Sequence, residues 1–363
     1  MTAVVGHEKR LTQSRPDYWL FSPAVDLSVF LGSALVALLA LAVGAYAGIL
    51  ESDTPDWAWV PAVLLIDVAH VYASGFRVYF DVGELKRRPW LYTLAPVGGF
   101  VCGVALYAHG EQLFWRVLAY LAVFHFVRQQ YGWVALYRAK AGERGRWGRW
   151  IDSAAIYLAT IYPLISWHAH LPRGFWWFLE NDFQGIPQAA AQVAAPLYWL
   201  SMAAYAVKAV YNWSQRRPNP GKDIVVVTTA VCWYVGIITF NSDYAFTVTN
   251  VIIHGVPYLA LVFWYMRSRQ SQRGKASGGP LRTLVFFLST IWFLAYAEEL
   301  IWDRTVWHER SWLFGASLDV GMLQTLLVPL LAVPQLTHYV LDGFIWRRKH
   351  NPYFSLVGNR TST

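Results

Sequence analysis

The chain has 363 residues, 56% of them apolar and 14% charged, with 20 Trp and a mean hydropathy of +0.31. A soluble domain carries about a quarter charged residues; here the apolar excess runs the whole length, which excludes a cytosolic globular enzyme, a disordered chain and a small disulfide scaffold. The net charge of +8 and pI near 9.4 come from short basic clusters between apolar stretches, a pattern that fits orientation in a bilayer better than nucleic-acid binding.

Met1 to Tyr18 is polar and basic, without an apolar core and cleavage site, so no removable signal peptide is expected and the first hydrophobic helix serves as insertion signal. A helix crossing the hydrocarbon layer needs roughly 20 apolar residues. Ten such windows, bounded by charge, Pro or Gly, run approximately over 24–50, 57–80, 91–109, 113–137, 151–168, 191–213, 223–240, 244–266, 282–302 and 317–346. Long continuous runs without ten-residue alternation predict helices, not a barrel. The expected fold is all-α: a polytopic integral membrane helical bundle of about ten transmembrane helices. A tail over 1–20, a single transmembrane domain over 21–346 and a tail over 347–363 complete the organisation.

An error of one span would scramble the Lys/Arg bias in every later loop. With the N-terminus inside, 23 of the 30 basic residues fall on the cytoplasmic side, against Arg116, Arg173, Arg304 and Arg310 outside. Arg77, Arg128 and Lys208 lie within spans. Both termini are therefore expected in the cytoplasm, in an inner (plasma) membrane of bacterial type. Trp57, Trp59, Trp90, Trp115, Trp150, Trp167, Trp302 and Trp346 sit at predicted span ends, the headgroup level that indole prefers. Phe175 to Phe178, in the longest outer connection, predicts a short interfacial helix. The stretch from Ser268 to Pro280 reads as a flexible linker. Cys102 and Cys232 each lie in an apolar stretch with no CxxC partner and read as small hydrophobes.

An ionisable side chain inside a span costs about 2.5 to 3.5 kcal/mol on insertion scales, so each one retained is a candidate for function. His70, His125, His254 and His338 lie within four different spans, 11, 13, 13 and 9 residues from Asp81, Arg138, Arg267 and Arg347. At about 1.5 Å per residue this places all four in one layer some 14 to 20 Å from the cytoplasmic boundary. Each has a polar neighbour one turn away: Asp67 before His70, Arg128 and Gln129 after His125, Asn250 before His254, Asp342 after His338. A ligating imidazole commonly donates its other N–H to such a neighbour. Neutral imidazoles with a carboxylate suit Fe(II), Cu or Zn. The candidate metal ligands are His70, His125, His254 and His338 with Asp67 or Asp342, iron ranking ahead of copper and zinc.

Arg77, Arg128 and Gln129 are the candidate catalytic residues, the two arginines placed to hold a substrate carboxylate or phosphate headgroup; the alternative for Arg77 is a pair with Asp81 on one helix face. Pro329 and Pro334 predict a kink beside His338. His109, His168, His170 and His308 form a weaker outer-face set that could bind Zn or Cu. There is no Gly-rich phosphate loop, GxSxG elbow, HExxH pair or CxxCH haem site, nor the clustered histidine boxes of membrane fatty-acid desaturases.

Two segments, Val123-Phe-His-Phe-Val-Arg-Gln-Gln-Tyr131 and Val333-Pro-Gln-Leu-Thr-His-Tyr-Val-Leu-Asp-Gly-Phe-Ile345, are similar to His-containing helices of the Brp/Blh family, membrane β-carotene dioxygenases that make retinal with iron held by intramembrane histidines. The resemblance covers about 30 residues and implies His125 and His338 as iron ligands. The chain departs from the family in its ten predicted spans, in lacking a PHG-type early helix, and in carrying Arg128-Gln129-Gln130 where the family supplies a further His. The expectation is a membrane metalloenzyme, an oxidoreductase acting on a lipid or isoprenoid-like substrate, with membrane lipids as its surroundings and no nucleic-acid partner. A secondary transporter using the same polar layer and a non-catalytic membrane subunit are the alternatives.

Overall fold

The structure, a computed structural model, describes residues 18–272, 274 and 279–347. Among these the regular structure is entirely helical. Eleven principal helices follow one another: α1 (Pro23–Ala47), α2 (Asp56–Arg77), α3 (Pro89–His109), α4 (Glu111–Lys140), α5 (Arg146–Ala169), α6 (Gln188–Ser214), α7 (Pro220–Thr239), α8 (Asp243–Gln272), α9 (Pro280–Trp307), α10 (Gln324–Leu331) and α11 (Val333–Ile345). Seven of them, α1, α2, α3, α6, α7, α8 and α9, are long and apolar enough to cross a membrane. Helices α4 and α5 occupy their predicted windows but are not among the seven. Both predicted tails lie almost wholly outside the described residues, as does most of the linker; α8 itself continues through Gln272.

Local chemistry sets the helix ends. Gly48, at φ 73°, closes α1 in a left-handed cap that costs glycine nothing. Pro89, Pro220 and Pro280 open α3, α7 and α9 at the first turn, where a missing N–H is harmless.

Two segments depart from the sequence-based expectation. Phe175 to Phe178 is not helical: the Asp182 carboxylate accepts from the backbone N–H of Trp177 (2.9 Å) and Phe178 (2.8 Å), offering the chain an alternative to helical bonds. Phe175 turns inward against Trp167 and Phe246. The last predicted span, 317–346, is interrupted: residues 315–320 are irregular and the helix breaks at Ala332 between α10 and α11. Pro334 has no N–H to donate, and its ring clashes with the carbonyl four residues back.

Helix α8 is the axis of the bundle, packed by α1, α2, α4, α7 and α9. It meets α2 at close range: a Cβ on Gly255 would lie 2.5 Å from Ile66 Cγ2, so only glycine lets the two backbones approach there. That contact holds the segment bearing His254 against the one bearing His70. Just before His70, α2 is wound as π-helix over Val60–Val68, a local rewinding that re-aims side chains and is frequent at functional sites. Helix α11 packs on α2, α3 and α4, bringing the fourth histidine in from the other side.

Candidate metal centre

The four intramembrane histidines converge. His70, His125, His254 and His338, from α2, α4, α8 and α11, are all buried, none more than 4% exposed. His254 Nε2 lies 3.2 Å from His70 Nε2, and His338 Nε2 lies 3.1 Å from His125 Nε2. The two pairs abut, with ring centroids 4.8 Å apart for His70 and His338 and 5.2 Å apart for His125 and His254. Ligand atoms of His70, His125 and His254 lie within 4.8 Å of one another, and so do those of His125, His338 and Asp342. Two nitrogens bound to one ion at about 2.0–2.1 Å are about 2.9 to 3.4 Å apart, depending on the angle at the metal. The two short nitrogen contacts fall inside that range, and either group could hold a metal ion.

The Nδ1 atoms divide the rings into two kinds. His70 Nδ1 faces the carbonyl oxygen of Asp67 at hydrogen-bond distance; a carbonyl only accepts, so this nitrogen carries the proton and Nε2 keeps its lone pair. His338 Nδ1 meets Ser74 Oγ at 2.7 Å, Ser74 Oγ meets the Tyr258 hydroxyl at 2.9 Å, and Tyr258 donates to Asp342 Oδ1 at 2.6 Å. Trp346 Nε1 donates to the same carboxylate oxygen at 3.1 Å. His125 Nδ1 stands 4.0 Å from Asp342 Oδ2, and His254 Nδ1 has no hydrogen-bond partner although the residue is fully buried. His70 and His338 thus have a hydrogen-bonded Nδ1, whereas His254 Nδ1 has no partner. Aromatic faces close the walls: Phe126 stacks on His254 with centroids 3.5 Å apart, and Tyr339 on His125 at 4.8 Å.

The remaining candidates are placed differently from one another. Asp342 belongs to the cluster, its side chain 11% exposed, whereas Asp67 contributes its main-chain carbonyl and keeps its carboxylate 3.5 Å from His70 Nδ1. Gln129 Nε2 donates to the His254 carbonyl at 2.8 Å, tying α4 to α8 at the level of the centre. Arg77 is fully buried and pairs with Glu84 at 3.2 Å, not with Asp81. Its guanidinium also donates to the Ile345 carbonyl and lies over the Tyr265 and Trp346 rings; Asp81 instead pairs with Arg269. Arg128 is exposed, against Tyr157 and Tyr131, so the two arginines share no partner.

The outer histidines are not gathered into a ligand group among the described residues. His109, His168 and His170 each turn Nδ1 back to the carbonyl four residues earlier, Ala105, Leu164 and Ser166, and His308 sits at a left-handed position ending α9.

Ser74 and Tyr258 escaped the sequence reading, although the signal was present. Each lies four residues after an intramembrane histidine, His70 and His254, on the same helix face. Set against family models, curated proteins and solved structures, the chain matches none, so the likeness to the Brp/Blh helices rests on its two segments.

Proposed function

We propose that this protein is a ten-span inner-membrane metalloenzyme, both termini cytoplasmic, in which His70, His125, His254 and His338 hold one transition-metal ion for oxidative chemistry on a lipid or isoprenoid-like substrate. The observation that carries the reading is the pair of 3.1 and 3.2 Å contacts between Nε2 atoms of rings from four separate helices. Two His plus one carboxylate facing open positions suit Fe(II) and oxygen chemistry; His125, His338 and Asp342 form such a set, which ranks iron ahead of copper and zinc.

An iron bound here would supply redox chemistry toward oxygen. The chain supplies the rest. The four rings come from helices packed in the bundle, which supports a site assembled largely before an ion binds, and the surrounding aromatic shell would keep water away and the local dielectric low. Asp342 and Asp67, the two more accessible polar groups at the centre, mark the side from which a substrate would approach. Arg128, exposed on α4 three residues from His125, is the arginine positioned to meet an anionic headgroup; Arg77 is occupied by Glu84.

Elemental analysis of the purified full chain tests the reading. The expected result is close to one iron per chain, lost in a His125→Ala, His338→Ala double variant. A metal-free preparation that moves protons or a solute in liposomes overturns it in favour of a transporter.

A further inference from the structure

The order of protons along the chain from Asp342 to His338 follows from donor capacity. A tyrosine hydroxyl has one hydrogen, and Tyr258 gives it to Asp342 Oδ1. In its 2.9 Å contact with Ser74, Tyr258 must then be the acceptor, so Ser74 gives up its only hydrogen there. At 2.7 Å from His338 Nδ1 the serine oxygen is left with lone pairs alone, and Nδ1 must carry the proton. The sequence of donors runs from His338 Nδ1–H to Ser74, to Tyr258, to Asp342, with Trp346 Nε1 fixing the carboxylate at the far end. One ring tautomer satisfies all four contacts, and it directs the lone pair of His338 Nε2 at the centre.

We infer that Ser74 and Tyr258 are positioning residues that lock His338 into its Nδ1–H tautomer and so hold its Nε2 open as a metal ligand. The inference rests on the metal reading for its consequence, and on the hydrogen-bond chain alone for its mechanism. Neither residue touches the ion. Both act through His338, as an outer partner of a ligating imidazole does, and loss of such a partner typically weakens metal affinity 10- to 100-fold. Tyr265 offers a matched control on the same helix: it is as buried as Tyr258, it packs against the Trp346 ring and under Arg77, but its hydroxyl has no hydrogen-bond partner and so takes no part in the relay.

The test is an anaerobic Fe(II) titration of the purified full chain, combined with 15N spectra of histidine-labelled, metal-free protein. Ser74→Ala and Tyr258→Phe are expected to weaken Fe(II) binding about 10- to 100-fold, whereas Ser74→Thr, which keeps the hydroxyl, and Tyr265→Phe stay near the wild-type value. In the 15N spectra Ser74→Ala is expected to remove one Nδ1–H imidazole signature that Ser74→Thr retains. Variants that bind Fe(II) as tightly as wild type overturn the inference while leaving the metal centre intact. Wild-type protein that takes up no Fe(II) overturns the metal reading instead, and the tautomer lock then stands or falls on the 15N spectrum.

Discussion

The histidine centre and the ion-pair cluster of Arg138, Glu143, Asp152, Lys208 and Lys222 are both buried polar assemblies in one helical bundle, but they are completed in different ways. In the cluster, Lys208 reaches Asp152 at 2.6 Å, Lys222 reaches both Glu143 oxygens at 2.7 Å and Asp152 at 3.3 Å, and Arg138 pairs with both acids. Asn219 adds a hydrogen bond to Glu143 at 2.7 Å. Every charged group has at least one opposite partner, three cations sharing two carboxylates, and the cluster fastens α4, α5, α6 and α7 at one end of the bundle. At the centre, like faces like: nitrogen meets nitrogen twice, and one buried nitrogen of His254 has no partner. Charge pairs complete themselves within the fold, whereas the histidine nitrogens, which could hold a metal ion, leave one buried atom without a partner.

If this contrast is right, the two regions answer substitution in opposite currencies, stability at the cluster and metal affinity at the centre. Asp152→Ala leaves two buried cations, Arg138 and Lys222, and the half-buried Lys208 with one acid between them. Breaking a buried pair in this way costs about 3–5 kcal/mol, to be seen as a large fall in unfolding temperature in detergent. An unchanged unfolding temperature would remove the cluster as an anchor.

Fe(II) at about a hundred times its dissociation constant should stabilise wild-type protein by about 2.7 kcal/mol, and a His125→Ala, His338→Ala variant not at all. In metal-free protein, His254→Leu should cost no more than about 2 kcal/mol, the scale of one neutral buried hydrogen bond. A loss as large as that of Asp152→Ala would mean that the imidazoles are structural glue.

The smallest effect concerns Glu143. Burial on its own would raise this carboxyl, but the Lys222 ammonium, Asn219 and Lys208 outweigh it and hold the group below its usual range. A depressed folded value means that the stabilisation is present above the unfolded carboxylate pKa and is lost as pH falls through the folded value. Glu143 is partly exposed, so the contribution is about 1 kcal/mol or less after screening. Glu143→Gln should flatten that part of the acid limb in a thermal-unfolding series against pH; an unaltered limb would show that the pairing is idle.

The sequence carried the helical architecture because bilayer-length apolar runs announce themselves without tertiary information. It also carried the four histidines, since a polar ring in hydrocarbon is costly enough to be conspicuous, and depth along each span can be counted. The partners of those rings were harder to read. Ser74 and Tyr258 are common residues in apolar helices, and only the angle between α2, α8 and α11 joins them to His338 and Asp342. Arg77 was assigned to a headgroup because Glu84 lies beyond a turn in the chain that brings it back. The aromatic run at Phe175 was read as a surface helix because the side chain that unravels it, Asp182, lies several residues downstream.

X-ray absorption at the iron edge of metal-loaded protein addresses the central claim most directly, because it counts the atoms around the ion. Convergence of His70, His125, His254 and His338 predicts a first shell dominated by imidazole nitrogens at about 2.0–2.2 Å with the outer-shell scattering of four rings. A shell of oxygen atoms with one imidazole or none, unchanged when His125 and His338 are replaced by alanine, would contradict it.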